Sequence, residues 1–232
     1  VFAAERPFEQ IRNTVAHGAI NVKIAATHAG ITVGEDGATH QAVEDLALMR
    51  VLPGMTVLVP ADALGTQEAV RAALEIQGPV YIRLGRSGVP AVHPEGWKME
   101  LGKIAELRSG SDLTLLGLGI TVDLCLQAAE LLAKEGISAD VLEVHTLKPL
   151  DEAAIIQAAQ KTGHLLTVEE HNVIGGLGSA IAEIIAEKAP ARLKRLGMPD
   201  CFGESGKPAE LLQKYGFTPE NIAQQAKALL NQ

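Results

Sequence analysis

The chain has 232 residues, of which 47% are hydrophobic and 3% aromatic, and its 20 Lys and Arg against 28 Asp and Glu give a formal net charge of −8. The hydrophobic fraction is too high for a disordered chain, and the acidic balance disfavours nucleic-acid binding, which needs clustered basic side chains. The apolar runs are also far shorter than the roughly 20 residues that span a bilayer, so the sequence predicts no membrane segment.

The first half of the chain alternates short apolar runs with segments of helical period. The apolar runs predict buried strands at residues 22–26, 56–59 and 80–84. The helical periods predict helices at residues 9–16, 42–50 and 63–76. This alternation is typical of parallel sheets that are covered by helices on both faces.

A segment rich in Gly and Pro, residues 89–108, is interpreted as a linker with a short extended piece at 103–107. A second series of apolar runs follows it and predicts strands at residues 113–118, 139–144 and 164–168. Helical patterns occupy residues 122–134, 208–215 and 219–230. The sequence therefore predicts two successive parallel-sheet α/β domains, at residues 1–88 and 109–232.

Cysteine usage and the first residues indicate the cellular context. Cys125 and Cys201 are too few for a disulfide framework and have no metal-ligand spacing, so we expect idle thiols in a reducing, cytoplasmic compartment. The chain opens on Val-Phe-Ala-Ala-Glu-Arg, without an apolar signal segment and without Met. This opening predicts a chain that starts inside a larger protein or was trimmed.

The connection between the first predicted strand and the second predicted helix, residues 27–41, concentrates chemistry. It contains His28, His40 and the adjacent acids Glu35 and Asp36, with three glycines that permit tight turns. In parallel α/β sheets, the loops at the carboxyl ends of strands bind ligands. A rigid loop with a helix cap at Thr39 is the alternative, but the two imidazoles together with Asp36 favour a functional site.

Two arginines lie at the end of the third predicted strand. Arg86 sits between glycines just past that strand, where a guanidinium suits anion capture because it forms bidentate bonds to phosphate. A surface arginine in a linker is the alternative interpretation. Arg83 lies inside the strand pattern, which favours a structural ion pair.

Other segments give weaker signals. Glycines at 117–119 and 175–178 precede helical patterns, but neither group completes a dinucleotide-binding fingerprint. Residues 169–172, Glu-Glu-His-Asn, end a strand and are open to interpretation as a second polar site or as an interface, and the interface is favoured. Four further histidines are isolated in the sequence and receive no predicted role: His17, His93, His145 and His164.

The loop 27–41 resembles the pyrimidine-domain signature of transketolases, because Thr-His is followed after a short gap by Val-Gly-Glu-Asp-Gly-Ala-Thr-His-Gln. The resemblance continues through residues 48–55 (Leu-Met-Arg-Val-Leu-Pro-Gly-Met), Pro60-Ala61-Asp62 and Leu84-Gly85-Arg86. Residues 114–122, 169–172 and 175–179 resemble the C-terminal domain of the family. The chain as a whole is most similar to the C-terminal subunit of two-chain transketolases.

The resemblance implies an activity and a set of residue roles. Transketolases transfer a two-carbon ketol unit between sugar phosphates with thiamine diphosphate and Mg²⁺. By motif, His28 and Arg86 would hold the sugar phosphate, and Asp36 would bond a substrate hydroxyl. His40 would be the catalytic group, facing the cofactor and donating a hydrogen bond or proton as charge develops on the reacting oxygen. Phe2 would lie in the aromatic pocket for the aminopyrimidine ring.

Two elements of the family pattern are absent from these 232 residues. One is the Gly-Ile-Ala-Glu-Gln-like segment, whose glutamate activates the cofactor and which lies upstream of Val1 in the family. The other is the Gly-Asp-Gly…Asn pattern that binds magnesium and the diphosphate. The resemblance therefore implies half of an active site, completed by an N-terminal partner chain that carries the diphosphate-binding domain and the metal, with self-association of this chain.

Three alternatives remain open. A deoxyxylulose-phosphate synthase is disfavoured because His28 replaces the arginine of that enzyme's Asp-Arg-Ala-Gly segment. The β subunit of a 2-oxo acid dehydrogenase is disfavoured by the complete Gly-Glu-Asp-Gly-Ala-Thr-His motif. The third alternative, of another class, is a non-catalytic assembly or regulatory subunit, and the missing glutamate supports it.

Overall fold

The computed structural model describes residues 1–231 of the chain. In chain order, its first half contains α1 (Phe8–Gln10) continuing into a π-helical turn (Ile11–Ala16), β1 (Lys23–Ala26), a 3₁₀ segment (Ile31–Asp36), α2 (Asp45–Val51), β2 (Thr56–Leu58), α3 (Ala63–Glu75) and β3 (Val80–Arg83). The second half contains β4 (Ala105–Arg108), β5 (Leu113–Gly117), α4 (Thr121–Lys134), β6 (Ala139–Glu143), β7 (Thr146–Lys148), α5 (Glu152–Thr162), β8 (His164–Asn172), α6 (Leu177–Lys188), β9 (Arg192–Met198), α7 (Pro208–Lys214) and α8 (Pro219–Leu230).

The first sheet has the strand order β1-β3-β2-β7. Strands β1 and β2 both pair in parallel with β3, so their carboxyl ends meet at one edge, as the alternating pattern predicts. Strand β7 comes from the second half of the chain and pairs antiparallel with β2. The first sheet is therefore shared between the two halves of the chain.

The second sheet has the order β4-β6-β5-β8-β9, and every neighbouring pair is parallel except β4 with β6. The predicted extended piece in the linker corresponds to the edge strand β4. Strand β8 is four residues longer than the predicted strand, and its residues from Leu165 to His171 are all buried. The Glu-Glu-His sequence consequently lies inside the protein rather than on a loop.

The helices form where apolar side chains recur every three to four residues. In α4, Val122, Cys125, Ala129 and Leu132 are fully buried on one face, and each large apolar side chain so buried contributes about 1.5–3 kcal/mol. One core cluster joins α2 residues such as Met49 to residues of the second sheet and of α6. Both halves of the chain therefore share an apolar core.

A buried polar cluster links the segment after β3 to both sheets. His93 Nδ1 lies 2.9 Å from Oδ1 of Asp62, and His93 Nε2 lies 2.6 Å from Oε2 of Glu143. Trp97 stacks on the His93 ring at 3.7 Å and meets His145 edge-on. Burial lowers the pKa of His93, but the two carboxylates outweigh it and raise that pKa. His93 is isolated in the sequence because its two carboxylate partners lie 31 and 50 positions away.

The two thiols lie in different environments. Cys125 is buried within α4, and burial raises its pKa, whereas Cys201 is exposed. No helix within residues 1–231 is both long and apolar enough to cross a membrane.

Candidate active site

A cavity of about 410 Å³ opens at the carboxyl end of β1, beside Tyr81 of β3. Its walls combine small apolar residues with the polar side chains that the sequence singled out. The lining residues include Phe2, Ala25, Ala26, Thr27, His28, Val33, Asp36, His40 and Tyr81. The structure therefore brings together Phe2, His28, Asp36 and His40.

The backbone of the loop 27–41 is closed at its base. The amide of Gly30 donates to the carbonyl of Ala42 at 2.8 Å, and residues 29 and 42 form an isolated parallel bridge. Between these ends the chain makes the 3₁₀ segment, which turns sharply at Gly34 with φ of 82°. The disfavoured alternative, a helix cap at Thr39, does not occur, because α2 begins only at Asp45 and the Thr39 hydroxyl instead contacts His40 Nδ1 at 3.0 Å.

His28 lies two residues after the end of β1 and adopts a left-handed backbone conformation, with φ of 65°. Its ring Nδ1 lies 2.9 Å from the Thr27 hydroxyl oxygen. Non-glycine residues with positive φ carry a conformational cost and are frequent at functional sites. The strained backbone turns the imidazole of His28 toward the cavity.

Asp36 and Arg86 form an ion pair at the mouth of the cavity. The Nη1 atom of Arg86 lies 3.2 Å from Oδ2 of Asp36 and also donates to the carbonyl oxygen of Val33. The side chains are 51% and 40% exposed, so solvent screens the pair and a ligand can reach both groups. Arg86 itself is not a lining residue of the cavity but reaches its edge through Asp36.

His40 packs edge-on against Phe2, with ring centroids 5.1 Å apart and an interplanar angle of 77°. The Arg6 guanidinium carbon lies 4.5 Å from the Phe2 centroid, a cation–π contact. Phe2 remains 50% exposed. An exposed aromatic ring beside an imidazole offers a surface on which a planar heterocycle can stack.

Beneath the cavity lies a buried ion pair that the sequence predicted for Arg83. The guanidinium Nε donates to Oδ2 of Asp45 at 2.9 Å, and the Tyr81 hydroxyl donates to the same oxygen at 2.7 Å. Burial opposes ionisation of Asp45, but Arg83, His171 and these hydrogen bonds outweigh it and lower the pKa of the carboxyl group. Asp45 thus provides a fixed negative charge below the loop.

Several residues that shape the site lie outside the predicted set. The Gln41 side chain, which is buried, donates to the carbonyl oxygens of Ile31 at 3.2 Å and Glu204 at 2.9 Å. The carboxylate of Glu170 accepts the amide of Thr32 at 2.6 Å. Gln41 belongs to the recognised motif, which was a usable signal, whereas the role of Glu170 depends on a partner 138 positions away.

The neighbours of Glu170 make other structural contacts. Glu169 accepts the amides of Leu177 and Gly178 at the start of α6, at 2.6 and 2.8 Å. His171 Nε2 accepts the amide of Ala47 at 3.3 Å. Burial raises the pKa of both Glu169 and Glu170 to about 7. The His171 contact joins the two halves of the chain, whereas both Glu169 contacts lie within the second half, so the interface interpretation of residues 169–172 stays a prediction.

The lining of the cavity fits an aromatic ring better than a metal ion. Phe2, Tyr81 and the alanines supply a flat, largely apolar wall. Within residues 1–231 there is no group of three or more His, Cys, Asp or Glu side chains placed to hold a metal. The arrangement can bind a heterocycle at Phe2 and present imidazole, carboxylate and guanidinium groups to a polar anionic molecule.

Comparison with known proteins identifies the two parts of the chain. Residues 1–91 match the family described as transketolase, pyrimidine binding domain, and residues 102–222 match transketolase, C-terminal domain. The chain belongs to the transketolase family. The loop 27–41 and Arg86 accordingly fall in the pyrimidine-binding domain, and Glu170 falls in the C-terminal domain.

Three relatives illustrate where the chain lies within the transketolase family. A putative transketolase C-terminal section of Methanocaldococcus jannaschii is 46% identical over 226 residues, which cover 96% of this chain and 71% of that protein. A 6-deoxy-6-sulfo-D-fructose transketolase subunit of a Clostridium species is 45% identical, over 97% of this chain and 70% of that protein. A solved split-gene transketolase, described as an inactive β4 tetramer, is 50% identical with a TM-score of 0.93, over 99% of this chain and 74% of that one.

Proposed function

We propose that this chain is the C-terminal subunit of a two-chain transketolase, which transfers a two-carbon ketol unit from a ketose phosphate to an aldose phosphate. The observation that carries the proposal is the convergence of His28, Asp36 and His40 on one cavity, with Arg86 bonded to Asp36 at its edge. These groups supply cation, hydrogen-bond acceptor and acid–base chemistry within a single loop and one neighbouring strand end.

Two of these residues suit the anionic end of the substrate. Arg86 uses Nη1 for both of its contacts, and a guanidinium has further N–H donors with which to bind an anion. His28 adds a second donor across the cavity. Asp36 accepts hydrogen bonds, and its fixed position beside Arg86 suits it to select the configuration of a substrate hydroxyl. A phosphate and a sulfonate offer similar oxygen acceptors, so both classes of sugar are candidates.

His40 and Phe2 suit the reacting end. When bound, thiamine diphosphate supplies the carbon nucleophile and the electron sink for the transfer. Phe2 would contact the aminopyrimidine ring, and His40 beside it would donate a hydrogen bond or proton to the carbonyl oxygen as negative charge develops there. The exposure of His40 and its edge-on contact with the Phe2 ring support this role.

A partner chain would complete the site. In this proposal the magnesium ion and the diphosphate are held by an N-terminal subunit, since residues 1–231 offer no cluster of metal ligands. The similar split-gene structure is described as a β4 tetramer that is inactive, which supports both self-association of this chain and its dependence on a second subunit.

The test is a reconstitution assay with xylulose 5-phosphate as donor and ribose 5-phosphate as acceptor, in the presence of thiamine diphosphate and Mg²⁺. It is run on this chain, on a version extended upstream through the family's glutamate segment, and on each mixed with the diphosphate-binding chain. We expect activity only in the extended mixture. Isothermal titration of this chain alone should show no submicromolar binding of thiamine diphosphate.

A complex that forms and yet transfers no ketol unit would contradict the proposal for these substrates. Repeating the assay with 6-deoxy-6-sulfo-fructose as donor then separates a different sugar specificity from a purely assembling role. Activity with neither donor would favour the non-catalytic subunit.

A further inference from the structure

The C-terminal domain contacts the active-site loop through a buried carboxylate. Glu170 lies in β8 and is only 2% exposed. Its Oε1 accepts a hydrogen bond from the amide of Thr32 at 2.6 Å. Thr32 is likewise buried, and it is four residues from His28 and four from Asp36. The contact therefore falls midway between two side chains of the cavity.

The shape of the loop is adapted to this carboxylate. Gly30 packs directly on it, so a methyl group added at Gly30 would collide with the carboxyl carbon of Glu170. Gly30 also has φ of 81°, which favours glycine. The turn that follows His28 therefore contacts the Glu170 carboxylate twice. Gly30 leaves room for it, and the amide of Thr32 donates to it.

Glu170 is itself held in place. Arg83 Nη2 donates to the Glu170 carbonyl oxygen at 2.9 Å and to that of Ala42, at the other end of the loop, at 3.2 Å. Burial raises the pKa of the Glu170 carboxyl group to about 7, and either protonation state retains an oxygen that can accept the Thr32 amide. The hydrogen bond from the Thr32 amide to Glu170 can therefore form both below and above pH 7.

We propose that Glu170 is a positioning residue of the active site, which fixes the turn at residues 30–32 and so sets where His28 and Asp36 point. This inference rests on the proposed function for its catalytic consequence. A displacement of about 1 Å at a positioned group can cost on the order of 10²-fold in rate. The C-terminal domain thereby contributes to the site without touching substrate.

A second contact from the same domain supports the loop at its far end. Gln41 donates to the carbonyl oxygen of Glu204, and its side chain packs on Gly203. Gly37 packs on the Ser205 hydroxyl. The loop is thus enclosed between β8 and the segment 203–206. Among these contacts in the described chain, only the one made by Glu170 joins a carboxylate to a backbone amide of the loop.

The experiment compares E170A with E170Q and with the matched control E169A. Glu169 is the adjacent residue, is equally buried and accepts two amides, but those amides belong to α6 and not to the loop. Hydrogen–deuterium exchange of peptides covering residues 28–37 reports the loop directly. Steady-state kinetics of the complex that the upstream-extended chain forms with the diphosphate-binding chain, with separate kcat and KM for the phosphorylated donor, report its consequence.

We expect E170A to raise loop exchange at least tenfold and to lower kcat/KM about tenfold or more, mainly through KM. E170Q, which retains an acceptor oxygen, should stay within about threefold of the wild type in both measurements. E169A should change neither, although it will lower stability. Should E170A fail to fold, E170D withdraws the carboxylate by one methylene and gives the same test.

Unchanged loop exchange in E170A would overturn the positioning role. Raised exchange with unchanged kinetics would overturn the claim that this positioning serves the site. An inactive complex of the extended wild-type chain would instead refute the proposed function, while the exchange measurement still decides whether Glu170 holds the loop.

Discussion

Arg83 Nε lies 2.9 Å from Oδ2 of Asp45, and both side chains are buried beneath the cavity of the candidate site. The same guanidinium binds backbone carbonyls at the end of the loop, in Ala42, and in the C-terminal domain, in Glu170. One buried cation thus joins the first sheet, the loop 27–41 and the second sheet. The two domains are connected electrostatically as well as through their shared apolar core.

The substitution Asp45→Ala should lower the free energy of unfolding by about 3–5 kcal/mol, because it leaves the Arg83 charge buried without its counter-ion. Urea denaturation at pH 7 measures this loss. The control is Glu135→Ala, which breaks a solvent-exposed pair with Lys227 at 2.8 Å and should have a much smaller effect. Equal losses of unfolding free energy in the two variants would show that the buried pair contributes no more to stability than the exposed pair.

The backbone at His28 predicts an unusual order of stabilities. Because φ is 65° there, His28→Gly should be more stable than His28→Ala by about 1 kcal/mol. At His40, which is not among the positive-φ residues of the described chain, the order should reverse. Thermal unfolding of the four variants checks this. A glycine that is less stable than alanine at both positions would argue against the left-handed turn.

The buried carboxyl group of Glu170 predicts a pH-dependent stability difference. Burial raises its pKa from 4.5 to about 7, so the unfolded chain ionises first as the pH rises, and the folded state loses stability between about pH 4.5 and 7. E170Q cannot ionise. It should therefore match the wild type near pH 5 and exceed it at pH 8 by on the order of 2 kcal/mol. Chemical denaturation at both pH values tests this, and a constant difference would contradict the pKa.

The strands and helices that the sequence predicted are those with strong local patterns. The six apolar runs all form strands, and five of them differ from the prediction by one residue at an end. Strand β7 has only three residues, and β9 contains three basic residues along an exposed sheet edge, so neither shows an apolar pattern. Helix α5, with a modest apolar face, was also not identified.

The candidate site was predictable to the extent that its residues are close in sequence. His28, Asp36 and His40 belong to one loop, and a single motif identifies them. The contact of Glu170 with Thr32 and the position of His93 between Asp62 and Glu143 depend on how the two sheets pack together. The strand pattern around Arg83 indicated an ion pair, but the sequence does not show which distant residue a charged side chain will pair with.

In the proposed function His40 takes part in ketol transfer, and the most direct test is kcat of His40→Ala in the complex that the upstream-extended chain forms with the diphosphate-binding chain. The matched control is His17→Ala, the same substitution at an exposed histidine outside the cavity. We expect His40→Ala to lower kcat by about 10²-fold or more, as loss of a positioned acid–base group commonly does, and His17→Ala to leave it unchanged. Activity of His40→Ala within twofold of the wild type would contradict the account and favour a non-catalytic, assembling role for this chain.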